Sequence, residues 1–346
     1  MRVLVVDDSA VQRSILITLI HRDPELTVIG WASNGADAVR AAALLTPDVI
    51  AMDLRMPEMD GIEATRQILQ QTPTPIVLVT AGFGSTAVDE QRLAFDALEA
   101  GVLAVLTKPD LGPEGDAATR ELHRILKNMA RVRMVRRWSI DRLRTSTART
   151  QASPSELPGV HMEVVAIGAS TGGPPVLRTI LVGLPSGFEP PVLIVQHIAD
   201  DFAISLVEWL RSQCALPIHI GVHGQCLNQP GIWVAPPGRH MGVSRRSLVL
   251  VDGPPISLHR PSVTHLFQSM AREYGPAAVG VLLTGMGDDG AVGLRDLKSS
   301  GGMTIAQDEA TSVVFGMPSA AIKLGVVDHV LPPPAIALML LQRSST

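Results

Sequence analysis

The chain has 346 residues, enough for about two domains that each enclose a core. Its 46% hydrophobic and 18% charged residues describe a globular protein, and a net charge of −4 supplies no field that would draw nucleic acid or an anionic membrane. Aromatics at 3% leave no platform for stacked bases, two cysteines cannot build a disulfide framework, acidic residues by position 8 argue against a secretion signal, and no apolar run nears the roughly 18 residues that span a bilayer, so a cytoplasmic chain is expected.

In chain order, "VLVV" (3–6), "VIAM" (49–52), "PIVLVT" (75–80) and "LAVLT" (103–107) are apolar runs of strand length. Helical patterns separate them, such as Val11, Ile15 and Leu19 at i, i+4 and i+8. Alternating β and α units predict a parallel sheet covered on both faces. Asp7 and Asp8 follow the first run, Asp53 the second, Thr80 closes the third, and Lys108 follows the last. Residues just beyond the carboxyl ends of parallel strands gather in one crevice. Three carboxylates there need a cation, and oxygen-only ligands beside a phosphate favour Mg²⁺. With Lys108 and the Thr80 hydroxyl nearby, the crevice is equipped for phosphoryl transfer to an aspartate.

A helix is predicted through Glu121–Lys127, with Leu122, Ile125, Leu126 and Met129 on one face. It runs into "RTSTARTQASPSELPG", a polar stretch with the composition of a linker. Residues 120–150 carry ten Lys/Arg against Glu121 and Asp141, an excess of +8, which reads as a solvated connector or as a strip for an acidic partner. The expected boundaries are 1–125 for the first domain, 126–158 for the helix extension and linker, and 159–346 for the second domain.

The second block has strand-like runs "VVAIG" (164–168), "PVLIVQ" (191–196), "AVGVLLT" (278–284) and "MTIAQ" (303–307), with "LPIHIGVHG" and "SLVLVD" as shorter edge or hairpin pieces. The stretch "GASTG" fits G-x-S-x-G between a strand and a helix that opens on Pro174 and Pro175. That placement holds the Ser170 hydroxyl at a strand tip, beside helix N–H groups able to stabilise an oxyanion. His197 ends the next run and supplies a base, worth about 10²–10⁴-fold in rate. Asp288 and Asp289 follow a third run and could orient that base; spacing does not choose between them. Cys214, His219, His223 and Cys226 spell C-x₄-H-x₃-H-x₂-C, but the alternation of "PIHIGVH" favours a strand with an outward polar face over a zinc site.

Over residues 1–125, "VVDDS", "MDLRMPEMDGIEA" and "LTKP" resemble the response-regulator receiver domain. "IGASTGGP", "VQHI", "RPSV" (260–263), "LLTGMGDDGA" and "AQDEATSVVFGMPSAAI" (306–322) extend the resemblance end to end, to the chemotaxis protein-glutamate methylesterase (CheB) family. The resemblance implies a flavodoxin-like receiver joined to a doubly wound α/β catalytic domain. It implies phosphorylation of Asp53 by a chemotaxis histidine kinase, with Asp8, Asp53 and the Arg55 carbonyl holding Mg²⁺, Asp7 assisting through water, and Thr80 and Lys108 reading the phosphate. Where receivers commonly carry a switch aromatic, this chain has Val105. In the second domain the resemblance assigns Ser170 as nucleophile, His197 as base and Asp289 as acid, with Thr171, Gly172, Gly173 and Met286 lining the oxyanion region and no cofactor. It implies glutamyl methyl esters, and for many members specific glutamines, of methyl-accepting chemotaxis receptors as substrates. The unphosphorylated receiver would limit access to the catalytic face. A monomer without nucleic-acid or membrane partners is expected. A receiver-regulated hydrolase of another ester, and a phosphorylation-gated interaction protein, are the competing classes.

Overall fold

Short Val/Ile/Leu runs that bury both faces pair in parallel once helices cover them, and both blocks of the sequence do this. In the computed structural model, which describes residues 1–80, 88–109, 115–132 and 161–344, the chain divides into two units, 1–139 and 140–346.

The first unit alternates β1 (Arg2–Val6), α1 (Ala10–Ile20), β2 (Thr27–Ala32), α2 (Gly35–Leu45), β3 (Val49–Met52), α3 (Gly61–Gln71), β4 (Ile76–Thr80), α4 (Val88–Ala100), β5 (Ala104–Thr107) and α5 (Gly115–Met129). Its five strands are parallel in the order β2-β1-β3-β4-β5, so the order reverses beside β1 and a crevice opens there. The strand β2 has no counterpart among the expected runs. It is an edge strand with Gly30 in its middle and Trp31 58% exposed, so it lacks a continuous apolar signal. On α1 the buried stripe is Leu16, Leu19 and Ile20, while the expected Val11 is 68% exposed. That helix has apolar residues on several faces, and periodicity alone does not choose among them. The fully buried Leu126 and Met129 carry α5 past position 125, so the expected boundary there falls inside a helix. Most of the basic 120–150 segment, and the linker after it, lie outside the described residues.

The second unit runs β6 (Val164–Ala169), α6 (Gly173–Val182), β7 (Val192–Gln196), α7 (Ala203–Arg211), β8 (Ile218–Ile220), β9 (Ile232–Val234), β10 (His240–Ser244), β11 (Ser247–Val251), α8 (Val263–Glu273), β12 (Ala278–Leu282), α9 (Ala291–Ser299), β13 (Met303–Gln307), α10 (Met317–Lys323), β14 (His329–Leu331) and α11 (Pro333–Ser344). Seven strands form a parallel sheet in the order β14-β13-β12-β6-β7-β9-β8. As expected, "LPIHIGVHG" yields the edge strand β8 and "SLVLVD" one arm of the antiparallel β10–β11 hairpin. Met241, Val243, Leu248 and Leu250 of that hairpin share a core with Leu266, Phe267 and Met270 of α8. The Val243 N–H donates to Ser269 Oγ at 3.0 Å, which pins the helix to the hairpin. This fixes the N-terminus of α8 at the carboxyl edge of the sheet, where the candidate site lies. No helix among the described residues is long and apolar enough to cross a membrane.

Candidate active site

The central strands β12, β6 and β7 are neighbours, and their three following loops leave one edge of the sheet. Ala169 pairs with Gln196, and the His197 N–H donates to the Ala169 carbonyl at 2.9 Å, so Ser170 and His197 stand at adjacent strand tips. The Ser170 N–H donates to the Thr284 carbonyl at 3.0 Å, tying the serine to the loop after β12.

Asp289 is the acid at this edge: it is 1% exposed and accepts from His197 Nε2 at 3.0 Å, whereas Asp288 is exposed to solvent. Spacing left the two open, and the difference in burial separates them. Asp289 also accepts from Ser262 Oγ at 2.8 Å and from the N–H groups of Val263 at 2.8 Å and Thr264 at 3.0 Å. The carboxylate therefore sits on the first turn of α8, where free N–H groups favour an anion. Burial alone would raise its pKa, but the hydrogen bond and charge of His197 and the hydrogen bonds from Thr264 outweigh it, and the carboxyl falls to about 2.

With Nε2 engaged by Asp289, the other imidazole nitrogen decides what the ring can do. His197 Nδ1 is buried and has no hydrogen-bond partner. An ionised Asp289 selects the tautomer with the proton on Nε2 and leaves the Nδ1 lone pair open. The leg from Ser170 to His197 is thus not closed by a hydrogen bond in this structure. The familiar serine-protease arrangement uses the two nitrogens the other way round, with the acid on Nδ1.

The turn between β6 and α6 is bare because its surroundings are close. Gly172 has φ +75°, and a Cβ there would lie 2.5 Å from Val313. Gly285 on the facing loop leaves no more room: a Cβ would lie 2.7 Å from the Ser170 Cβ and 2.3 Å from Met317 Sδ. The Gly173 N–H donates to the Ser170 carbonyl at 2.8 Å. Its donor is therefore engaged inside the turn expected to line the oxyanion region. Thr171 and Met286 are half-buried on the two loops that flank Ser170.

Sequence reasoning missed the groups that hold this frame. The Thr284 hydroxyl donates to the Thr171 carbonyl at 3.0 Å and accepts from the Val314 N–H at 3.0 Å. Gln307 Oε1 accepts from the Thr284 N–H at 2.7 Å, while its Nε2 donates to the Thr311 carbonyl at 2.8 Å. Gln196 Nε2 donates to the Ser170 carbonyl at 2.8 Å. The motifs "RPSV" and "AQDEAT" contain Ser262, Gln307 and Thr311, but a polar loop residue shows no periodicity that would reveal its partner.

In the first unit the expected crevice also forms. Ligand oxygens of Asp7, Asp8 and Asp53 lie within 4.8 Å of one another. Lys108 Nζ is 2.8 Å from Asp7 Oδ2 and 2.6 Å from Asp53 Oδ2. Burial pushes the Asp53 carboxyl above its usual range; the hydrogen bond and charge of Lys108 pull the other way, and Asp7 adds to the rise. One ammonium against three carboxylates leaves two charges uncompensated, and like charges about 4 Å apart cost roughly 4 kcal/mol near a protein surface. An all-oxygen set with that deficit fits a hard divalent cation. Thr80, at the end of β4, is buried, and its carbonyl accepts from the Lys108 N–H at 2.8 Å. Arg55 follows β3 on an exposed loop, and Val105 is half-buried on β5. No other group of three metal-capable side chains occurs among the described residues, so Cys214, His219, His223 and Cys226 do not converge. Burial raises the Cys214 thiol to about 11, so it is protonated near neutral pH.

Residues 165–340 match the family model for CheB methylesterase, and residues 3–114 match that for the response regulator receiver domain. The chain is 44% identical over 350 residues to protein-glutamate methylesterase/protein-glutamine glutaminase 1 of Syntrophus aciditrophicus, covering 99% of this chain and 97% of that protein. It is 43% identical over 342 residues to the protein-glutamate methylesterase/protein-glutamine glutaminase 4 of Myxococcus xanthus, covering 97% and 95% respectively. The second unit is similar to the crystal structure of the Thermotoga maritima CheB methylesterase catalytic domain, at a TM-score of 0.51 and 35% identity over 53% of this chain and 99% of that one. The protein belongs to the CheB methylesterase family, and its catalytic unit follows a response regulator receiver domain.

Proposed function

We propose that the protein hydrolyses γ-glutamyl methyl esters, and the corresponding amide of specific glutamines, on methyl-accepting chemotaxis receptors. The observation that carries this reading is the buried Asp289–His197 pair set one strand tip from Ser170, with His197 Nδ1 left open. Ser170 Oγ attacks the ester carbonyl carbon while its proton passes to Nδ1. The Thr171 and Gly172 amides, beside the spent Gly173 donor, face the developing oxyanion, and Met286 lines the opposite wall. One oxyanion donor is worth about 10²–10³-fold. His197 then returns the proton to the departing methoxide, so methanol leaves and an acyl-serine remains. Water, deprotonated by the same nitrogen, releases glutamate and restores Ser170. A glutamine follows the same path with ammonia as leaving group, where protonation by His197 matters more because an amide nitrogen leaves poorly.

The receiver regulates this chemistry through Asp53 as the phosphoryl acceptor, with a histidine kinase as donor. Asp8, Asp53 and the Arg55 carbonyl would hold Mg²⁺, with Asp7 assisting through water, and when bound the ion would supply positive charge to the phosphoryl oxygens. Lys108 and Thr80 read the phosphate, and Val105 in place of an aromatic removes a ring-rotation relay. The phosphorylated receiver favours the arrangement in which the catalytic face is accessible, since a phosphate with no preference between two arrangements shifts nothing. The domain boundaries implied are 1–125, 126–158 and 159–346, with α5 extending the first unit by a turn.

The test is methanol release from methyl-labelled receptor cytoplasmic fragments, with and without acetyl phosphate and Mg²⁺. Ser170→Ala is expected to abolish release, and Asp53→Ala to remove the rise caused by acetyl phosphate. Retained turnover in Ser170→Ala would refute the assignment of the nucleophile.

A further inference from the structure

A base held at one nitrogen has a weakness that comes from ring geometry. The Cβ–Cγ axis of histidine runs through the middle of the Cε1–Nε2 bond, so Nε2 lies nearer to it than Nδ1 does. The Nε2–Asp289 hydrogen bond therefore restrains tilting of His197 more strongly than rotation of the ring about that axis. Rotation would swing Nδ1, the nitrogen assigned to take the serine proton, out of line. Nδ1 has no hydrogen bond of its own to prevent this.

What lies against the ring is His259. Its imidazole is stacked on that of His197 with centroids 3.7 Å apart and planes 8° from parallel. A flat ring at van der Waals distance opposes the rotation that the hydrogen bond restrains least. The delivery of this ring is also specific. Ile256 and His259 exchange backbone hydrogen bonds of 3.0 Å and 2.9 Å across a two-residue turn. The turn residues Ser257 and Leu258 have φ of +47° and +68°. Such turns ordinarily take Asn-Gly, and a leucine at positive φ, left 90% exposed, gains no burial in exchange. Backbone held in a costly conformation next to a reacting group points to a function that needs its geometry.

We propose that His259 is a positioning residue that fixes the plane of His197 by stacking, and so keeps Nδ1 aligned with Ser170. This rests on the reading that Ser170 and His197 are nucleophile and base. The role needs a planar face and no proton. An aromatic hydrocarbon ring in the same place serves equally, and its π face tolerates the imidazolium that forms during the reaction.

The experiment compares His259→Leu and His259→Phe in the full-length protein, measuring methanol release from methylated receptor fragments and the thermal unfolding midpoint. Misplacing a reacting group by ~1 Å costs on the order of 100-fold, and a partly freed ring is expected to lower kcat about tenfold in His259→Leu, with KM within about twofold. His259→Phe is expected to restore kcat to within about twofold of the parent. A leucine variant with unchanged kcat overturns the proposal, and so does a folded phenylalanine variant as slow as leucine, which would mean that His259 acts through a proton or hydrogen bond. A rise confined to KM overturns it too, because that would make the ring a substrate contact. If Ser170→Ala keeps its activity, the underlying assignment of the nucleophile is at fault; if Ser170→Ala is inactive while His259→Leu is not slowed, only the stacking role fails.

Discussion

Asp53 and Asp289 both lie past the carboxyl ends of parallel strands, and both are nearly sealed from water at 7% and 1% exposure. Yet burial prevails at one and is overcome at the other. Asp53 accepts from Lys108 Nζ and from the Leu54 N–H at 2.7 Å, and it shares its crevice with Asp7, so its carboxyl is raised. Asp289 accepts from His197, Ser262, Val263 and Thr264, and it drops to about 2. Both carboxylates sit at the same kind of sheet edge, so the contrast comes from donor count and from a like charge nearby. The first arrangement suits a carboxylate that awaits a cation and a phosphoryl group; the second suits one that must stay ionised to hold an imidazole.

The contrast breaks most severely if the charge on Asp289 is removed. Asp289→Asn is expected to lower methanol release on the order of 10⁴-fold, because an amide selects the wrong tautomer of His197. A loss of less than tenfold would mean that the pair is structural. Gly285→Ala tests the same frame from the facing loop. Its new methyl would lie 2.7 Å from the Ser170 Cβ, and a displaced serine is expected to lose about 100-fold in kcat while far-ultraviolet circular dichroism is unchanged. The smallest effect is on stability. A carboxyl at about 2 in the folded chain, against 3.8 ordinarily, stabilises the fold above about pH 4, and that contribution disappears as pH falls towards 2. It amounts to roughly 2 kcal/mol. Urea unfolding of the second unit should therefore separate parent from Asp289→Asn at pH 6, with the gap narrowing at pH 2; an equal gap at both would deny the electrostatic contribution.

Much of the frame was legible because interior parallel strands are long and apolar: β1, β3, β6, β7, β12 and β13 each announce themselves. The strands β9 and β14 are three residues long, and β2 is a half-exposed edge, so none carries enough pattern to be distinguished from a loop. Ser170 and His197 were legible from their places at strand tips, since a parallel sheet gathers such residues at one edge. Spacing did not choose between Asp288 and Asp289, because adjacent loop residues differ only in which way the backbone turns them; the family resemblance alone pointed to Asp289. Nor were the ring-nitrogen roles of His197, which depend on the approach of α8. Thr284, Gln307 and Gly285 were hidden for a related reason: each meets its partner across a sequence separation of about twenty residues or more, and nothing in local spacing encodes that.

Covalent capture tests the serine most directly. A fluorophosphonate ester reacts with a serine whose proton is being withdrawn, and peptide mass spectrometry locates the adduct. Phosphonylation is expected on the peptide carrying Ser170, absent in Ser170→Ala and strongly slowed in His197→Gln. An adduct on another residue, or labelling of Ser170 at an undiminished rate without the His197 imidazole, would contradict it.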